Sequence, residues 1–306
     1  MNAARQPIGS SPTLRRALIV AVCLAATAWW TGPARGAEIV EKENITYGAG
    51  GDRALKLDLA RPEGDGPFPA IIFVHGGGWR GGDRAGYRRE IVEAARRGYV
   101  AVTVSYRLTE PDDKGKAKFP FPAQVNDVKC AVRWLRANAK KFHVDPKRIG
   151  ATGGSAGGHL SLMLGLTDAS AKLEGDGGHA DRSSRVAAVV NYFGPTDMIA
   201  LSRTSDGARP IVASFLGGTP EEVRETFLAA SPTTYVSKDD PPVLSLHGAD
   251  DTLVPPEQAR LLDEKMKAAG VPHTLMILEG QKHGFHGEGS AKAKAAMYAF
   301  FDKHLK

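Results

Sequence analysis

The sequence predicts an α/β fold with a mostly parallel sheet of about eight strands and helices on both faces. Three observations carry this. Short β-rich runs with little polar alternation recur along the chain, as strands buried on both faces require. Segments of helical period lie between them, and strand-helix-strand order favours parallel pairing. The opening residues differ, because 45–47 and 55–59 flank Gly48-Ala49-Gly50-Gly51-Asp52 and read as an antiparallel edge hairpin.

The run 70–74, Ala-Ile-Ile-Phe-Val, is the strongest strand signal, and 99–104 is the next. A helix is expected over 121–142, where Val125, Val128, Val132, Leu135, Ala139 and Phe142 recur at three- and four-residue intervals. Residues 148–152 read as a short strand and 158–164 as the helix after it, and 186–190 and 243–246 are further strands. Ala259, Leu262, Met266 and Ala269 share a helix face that stops at Gly270, and a strand comes next over 273–278. A last helix around 293–301 carries Ala293, Ala296, Met297, Phe300 and Phe301.

Two stretches break the alternation. Residues 167–184, rich in Gly, Asp and Ser, read as a surface loop. Residues 194–242 are too long for a plain connection, and they read either as a surface excursion or as a partial lid over a site.

The chain has 306 residues and a formal charge of +6. Residues 1–37 hold Arg5, Arg15, Arg16 and Arg35 and no acid, which leaves +2 on residues 38–306. The basic opening, the apolar run 17–30 and the small residues near Ala34 and Ala37 have the layout of a cleavable export leader. That run is short of the roughly 20 apolar residues a membrane-spanning helix needs, so no stable membrane insertion is expected. Residues 38–306 then form one domain, exported to a secreted or periplasmic location. Only Cys130 remains in it, so it has no internal disulfide and depends on packing. With 42% hydrophobic and 24% charged residues the composition is globular, and a charge of +2 gives no reason to expect nucleic acid.

Residues 153–157 read Gly-Gly-Ser-Ala-Gly, a G-x-S-x-G elbow between a strand and a helix. That pattern holds a nucleophile at a sharp turn that tolerates almost no flanking side chain. His75-Gly76-Gly77-Gly78-Trp79 directly follows the strongest strand. Backbone N–H groups of Gly77 and Gly78, with that of Ala156, can approach a tetrahedral oxyanion closely. A serine hydroxyl needs a base, and the base a carboxylate. His247-Gly248-Ala249-Asp250-Asp251 and Gln281-Lys282-His283 each follow a strand, so Ser155, Asp251 and His283 occur in the order Ser, Asp, His on loops that converge at one sheet edge.

On these motifs the chain resembles the α/β-hydrolase superfamily of esterases and lipases, from about residue 45 to the end. The matching branch carries H-G-G-G, G-x-S-x-G-G and H-G-x-x-D-x-x-V-P, and it includes hormone-sensitive-lipase-like carboxylesterases and bacterial feruloyl or acetylxylan esterase-like domains. The resemblance implies Ser155 as nucleophile, Asp251 as orienter, His283 as base, and Gly77, Gly78 and Ala156 as oxyanion donors. Its spacing from Gly248 favours Asp251 over Asp250. The insert 109–118, after Ser105-Tyr106-Arg107-Leu108, departs from the lipase-like group and points toward polysaccharide esterases. No metal or organic cofactor is implied. The expected substrate is a short-chain or polysaccharide-linked acetyl or feruloyl ester. Prolyl-oligopeptidase-type peptidases, arylformamidases and a binding protein that has lost the chemistry are the competing readings.

Other residues read more plainly. Trp79 either lines a substrate pocket or packs on the glycine loop. His75 fixes its loop, His159 is structural and Asp127 serves local helix packing. His286 competes with His283, but an H-x-x-H pair without a third ligand makes a poor zinc site.

Overall fold

A computed structural model describes residues 38–111, 113 and 117–306; the expected leader lies outside the described residues. Strands β1 (Ile39–Gly50) and β2 (Arg53–Pro62) form the expected antiparallel hairpin, longer at both ends than the sequence pattern suggests. Strands β3 (Phe68–Val74), β4 (Val100–Val104), β5 (Val144–Gly154), β6 (Ala188–Tyr192), β7 (Val243–Gly248) and β8 (His273–Leu278) complete an eight-stranded sheet of order β1-β2-β4-β3-β5-β6-β7-β8. From β4 to β8 every pair is parallel, while β2 runs antiparallel to both its neighbours.

The unbroken apolar runs have their reason in two cores. Ala70, Ile72 and Val74 face one side with Val100, Val102 and Val104; Ile71, Phe73 and Ala101 face the other. The first face is covered by α2 (Ala123–Ala137) and α4 (Ala156–Leu166), the second by α1 (Arg88–Arg96) and α9 (Gly287–Leu305). The helix expected over 121–142 is two helices, because Asn138 leaves helical geometry and a short α3 (Ala139–Phe142) restarts after it.

The loop 167–184 is tied to the body. Lys129 and Arg133, both buried on α2, reach Glu174 at 2.9 and 2.8 Å. Asp127 is more than a local packing residue: its carboxylate accepts from the backbone N–H, Nε and Nη2 of Arg107, 20 residues earlier, and so fixes the segment after β4 to α2. Between β6 and β7 lie α5 (Met198–Thr204), α6 (Arg209–Leu216) and α7 (Arg224–Ala229). After β7 comes α8 (Glu257–Ala268), which ends before Gly270 as expected. No described helix is long and apolar enough to cross a membrane.

Candidate active site

The chain leaves β5 and enters α4 at Ser155, whose φ of +57° and ψ of −120° are sparsely populated for a side-chain-bearing residue. The flanking glycines make this turn possible. A Cβ on either Gly153 or Gly157 would fall on the carbonyl oxygen of Val74 at the end of β3, so the elbow can press against the neighbouring strand only without side chains. Ser155 is thereby raised above the carboxyl edge of a central strand.

His283 stands on the loop after β8, with its Nε2 2.9 Å from Ser155 Oγ and its Nδ1 2.7 Å from Asp251 Oδ2. The carboxylate accepts from Nδ1–H, which leaves Nε2 free to accept from the serine hydroxyl. The edge of the Phe193 ring meets the imidazole at a centroid distance of 4.9 Å and backs it. Asp251 is buried, and its Oδ1 accepts from the backbone N–H groups of Leu253 and Val254 at 3.0 and 2.9 Å. Burial alone would raise its pKa; hydrogen bonds from His247, His283 and Val254 outweigh it and lower the group to about 2. Asp250 is exposed, with its N–H on the Gln281 carbonyl. His286 is exposed as well, and its N–H donates to Gln281 Oε1.

Gly77 and Gly78 follow β3 with φ of +113° and +60°, and Gly77 turns its carbonyl to the N–H groups of Arg80 and Gly81. Among the described residues neither the Gly77 nor the Gly78 N–H meets an acceptor. Ala156 is the first residue of α4, where an N–H has no partner within the helix. These donors and Ser155 therefore belong to the same corner, where the positive end of the α4 dipole adds to them.

Trp79 does both things the sequence leaves open. It is 2% exposed and stacks on Phe215 at 4.1 Å, yet it still contributes to the cavity wall. Its Nε1–H donates to His159 Nδ1, and His159 Nε2–H donates to the Ala230 carbonyl. His159 is thus a structural link between the helix after Ser155 and the insertion, and burial pushes it down to about 4. His75 stacks on Tyr106 at 4.2 Å, and the Tyr106 hydroxyl donates to the His75 carbonyl, which holds the glycine loop from behind.

Ser155 and His283 open into a cavity of about 490 Å³. Leu201, Ala208, Ile211 and Val212 from α5, α6 and the turn between them form its outer wall, and Phe193, Leu253 and Val254 contribute from the sheet edge. The 194–242 insertion accordingly supplies one wall of the cavity. Sequence reading missed Phe193, which follows β6 outside any regular element, and Ile211 and Val212, because the eight residues of α6 are too few to show a helical period. His247 was visible as the first residue of its motif, with no role attached.

The pattern of the BD-FAE family matches residues 57–266. Probable carboxylic ester hydrolase LipM of Mycobacterium tuberculosis is 33% identical over 82% of this chain and 57% of its own length. The chain spans about three fifths of the length of the curated relatives it matches. Among solved structures, a truncated carbohydrate esterase from gut microbiota superposes with a TM-score of 0.75 at 29% identity, over 90% of this chain and 99% of that one. The propionate-bound esterase Est2 of Thermogutta terrifontis does so with a TM-score of 0.70 at 30% identity, over 89% and 94%.

Proposed function

Because this chain belongs to the BD-FAE family of α/β-hydrolase esterases, we propose that it is a serine carboxylic-ester hydrolase working through an acyl-enzyme. The observation that carries the reading is the unbroken line from Ser155 Oγ through His283 to the buried Asp251, at 2.9 and 2.7 Å. His283 Nε2 takes the hydroxyl proton as Ser155 Oγ attacks the ester carbonyl, and Asp251 steadies the imidazolium that forms. The oxyanion rests on the N–H groups of Gly77, Gly78 and Ala156. As the carbon–oxygen bond to the alcohol breaks, His283 returns the proton to the leaving oxygen. A water then repeats the sequence on the acyl-enzyme, releasing the acid and restoring Ser155.

The apolar wall of Leu201, Ile211, Val212 and Trp79 suits an apolar acyl or aryl group better than a sugar ring. The proposed substrates are therefore short- to medium-chain acyl or feruloyl-type esters, with a saccharide alcohol left outside the wall. The similarity to a carbohydrate esterase supports the saccharide half of that reading, and the similarity to an esterase with propionate bound supports the acyl half. The leader layout of residues 1–37 supports export before the enzyme acts, and N-terminal sequencing of the protein from fractionated cells tests it.

Ser155→Ala should abolish both p-nitrophenyl butyrate hydrolysis and labelling by a fluorophosphonate, and retained turnover would overturn the assignment. A parallel series of p-nitrophenyl esters of rising chain length, methyl ferulate and acetylated xylan should rank the apolar acyl esters first.

A further inference from the structure

His247 opens the H-G-x-x-D segment, yet no step of the proposed reaction uses it. It is the penultimate residue of β7, an interior strand paired with both β6 and β8, and it is wholly buried. Its Nε2 lies 2.7 Å from the Val254 carbonyl oxygen and 3.5 Å from Asp251 Oδ2. Its Nδ1 is buried without a partner among the described residues. A carbonyl oxygen only accepts, so the imidazole carries its proton on Nε2 and donates it to Val254, with Asp251 Oδ2 the next acceptor at 3.5 Å.

Val254 is consequently held twice. Its N–H donates to Asp251 Oδ1 at 2.9 Å, and its carbonyl accepts from His247. The loop that carries Asp251 is closed on itself, and its far side at Val254 is tied back to β7 through His247. The other carboxylate oxygen, Oδ2, takes the His283 Nδ1–H at 2.7 Å and faces the same His247 Nε2–H.

Resting on the serine-hydrolase reading, we propose that His247 is a positioning residue: its Nε2–H fixes the Val254 turn and draws on Asp251 Oδ2, setting both the direction and the charge that the carboxylate offers His283. The groups facing this pair are few. Asp251 meets His247 from β7 and His283 from the loop after β8, while His283 meets Asp251, Ser155 from the elbow and the uncharged Phe193 ring after β6. Removing the His247 donor leaves more negative charge on Oδ2 and stabilises the His283 imidazolium, so His283 titrates at higher pH. The loosened carboxylate also aims less well, which lowers kcat more than it raises KM.

The test uses the full chain with His247→Leu, which fills the space without a donor, and His247→Gln, whose amide restores an N–H. In His247→Leu the NMR titration midpoint of His283 should rise by about half a pH unit. Its kcat on p-nitrophenyl butyrate should fall by about ten- to a hundredfold with KM within about twofold. His247→Gln should recover most of both. A wild-type midpoint and kcat in His247→Leu, with only a lower melting temperature, would make His247 a packing residue and overturn the proposal. So would a glutamine variant no better than leucine. Nitrogen NMR of the unsubstituted protein gives a reading independent of how the variants fold: a proton on His247 Nδ1 overturns the clamp. Neither NMR measurement needs turnover, so a chain that hydrolyses no ester would sink the enzymatic reading while leaving the link from His247 to His283 separately measured.

Discussion

Asp251 and His159 are both buried titratable side chains, and what each meets in the interior decides opposite roles. Asp251 is surrounded by donors, so its charged form is favoured down to about 2. Asp251→Asn would present a donor where the imidazole needs an acceptor, favouring the wrong tautomer, and kcat should drop by roughly 10⁴ while substrate binding is kept. Steady-state kinetics with active-site titration checks this. His159 has only an uncharged carbonyl and an indole N–H as partners, so it stays neutral down to about 4. The unfolded chain takes up that proton near 6.5, so it binds more protons than the fold between there and about 4. Stability should therefore fall as pH drops through this window, whereas the Asp251 contribution is lost only at lower pH, as its carboxylate protonates toward about 2. Urea midpoints from pH 7 to pH 4 measure the first effect, and His159→Gln should flatten part of the slope.

Helix α2 shows what an element needs beyond its own pattern. Its apolar stripe is plain in sequence, whereas nothing in that stripe marks out Lys129 and Arg133. The fold instead buries both under the loop 167–184, with Glu174 as their shared partner. Glu174→Ala would leave two buried cations short of their counter-charge. It should cost about 3 kcal/mol, the low end for breaking a buried pair, because Glu174 keeps 30% of its side chain in water. Denaturant unfolding measures the loss, and the kcat of the folded enzyme should be unchanged. Strand and helix positions were legible because apolar period is a local property that the two cores reward directly. The anchoring of 167–184 was not, since it depends on residues brought together from distant segments.

Across the whole molecule, the cavity is made where two parts of the chain meet. The carboxyl edge of the sheet supplies Ser155 and His283, and the helical insertion between β6 and β7 supplies Leu201, Ala208, Ile211 and Val212. Ile211 also stands over Gly78, so the insertion bears on the glycine loop after β3. Ile211→Phe should narrow the cavity and lower kcat/KM for octanoyl relative to acetyl p-nitrophenyl esters by about tenfold, the range for a misfit of one or two methylenes in an apolar pocket. A relative rate unchanged across the series would place the acyl group elsewhere. By itself the sequence determined the α/β class, the hairpin edge, and the three residues that the structure joins by hydrogen bonds. Each of these is written in a short window: an unbroken apolar run, a period of 3.6, or a glycine-flanked motif at a strand end. Only the tertiary structure decided that Trp79 is both packed and lining, that the insertion walls the site, and that His247 reaches the Asp251 loop. Those are contacts between segments far apart in sequence, and they exist only once the sheet has brought its carboxyl edge and the insertion together.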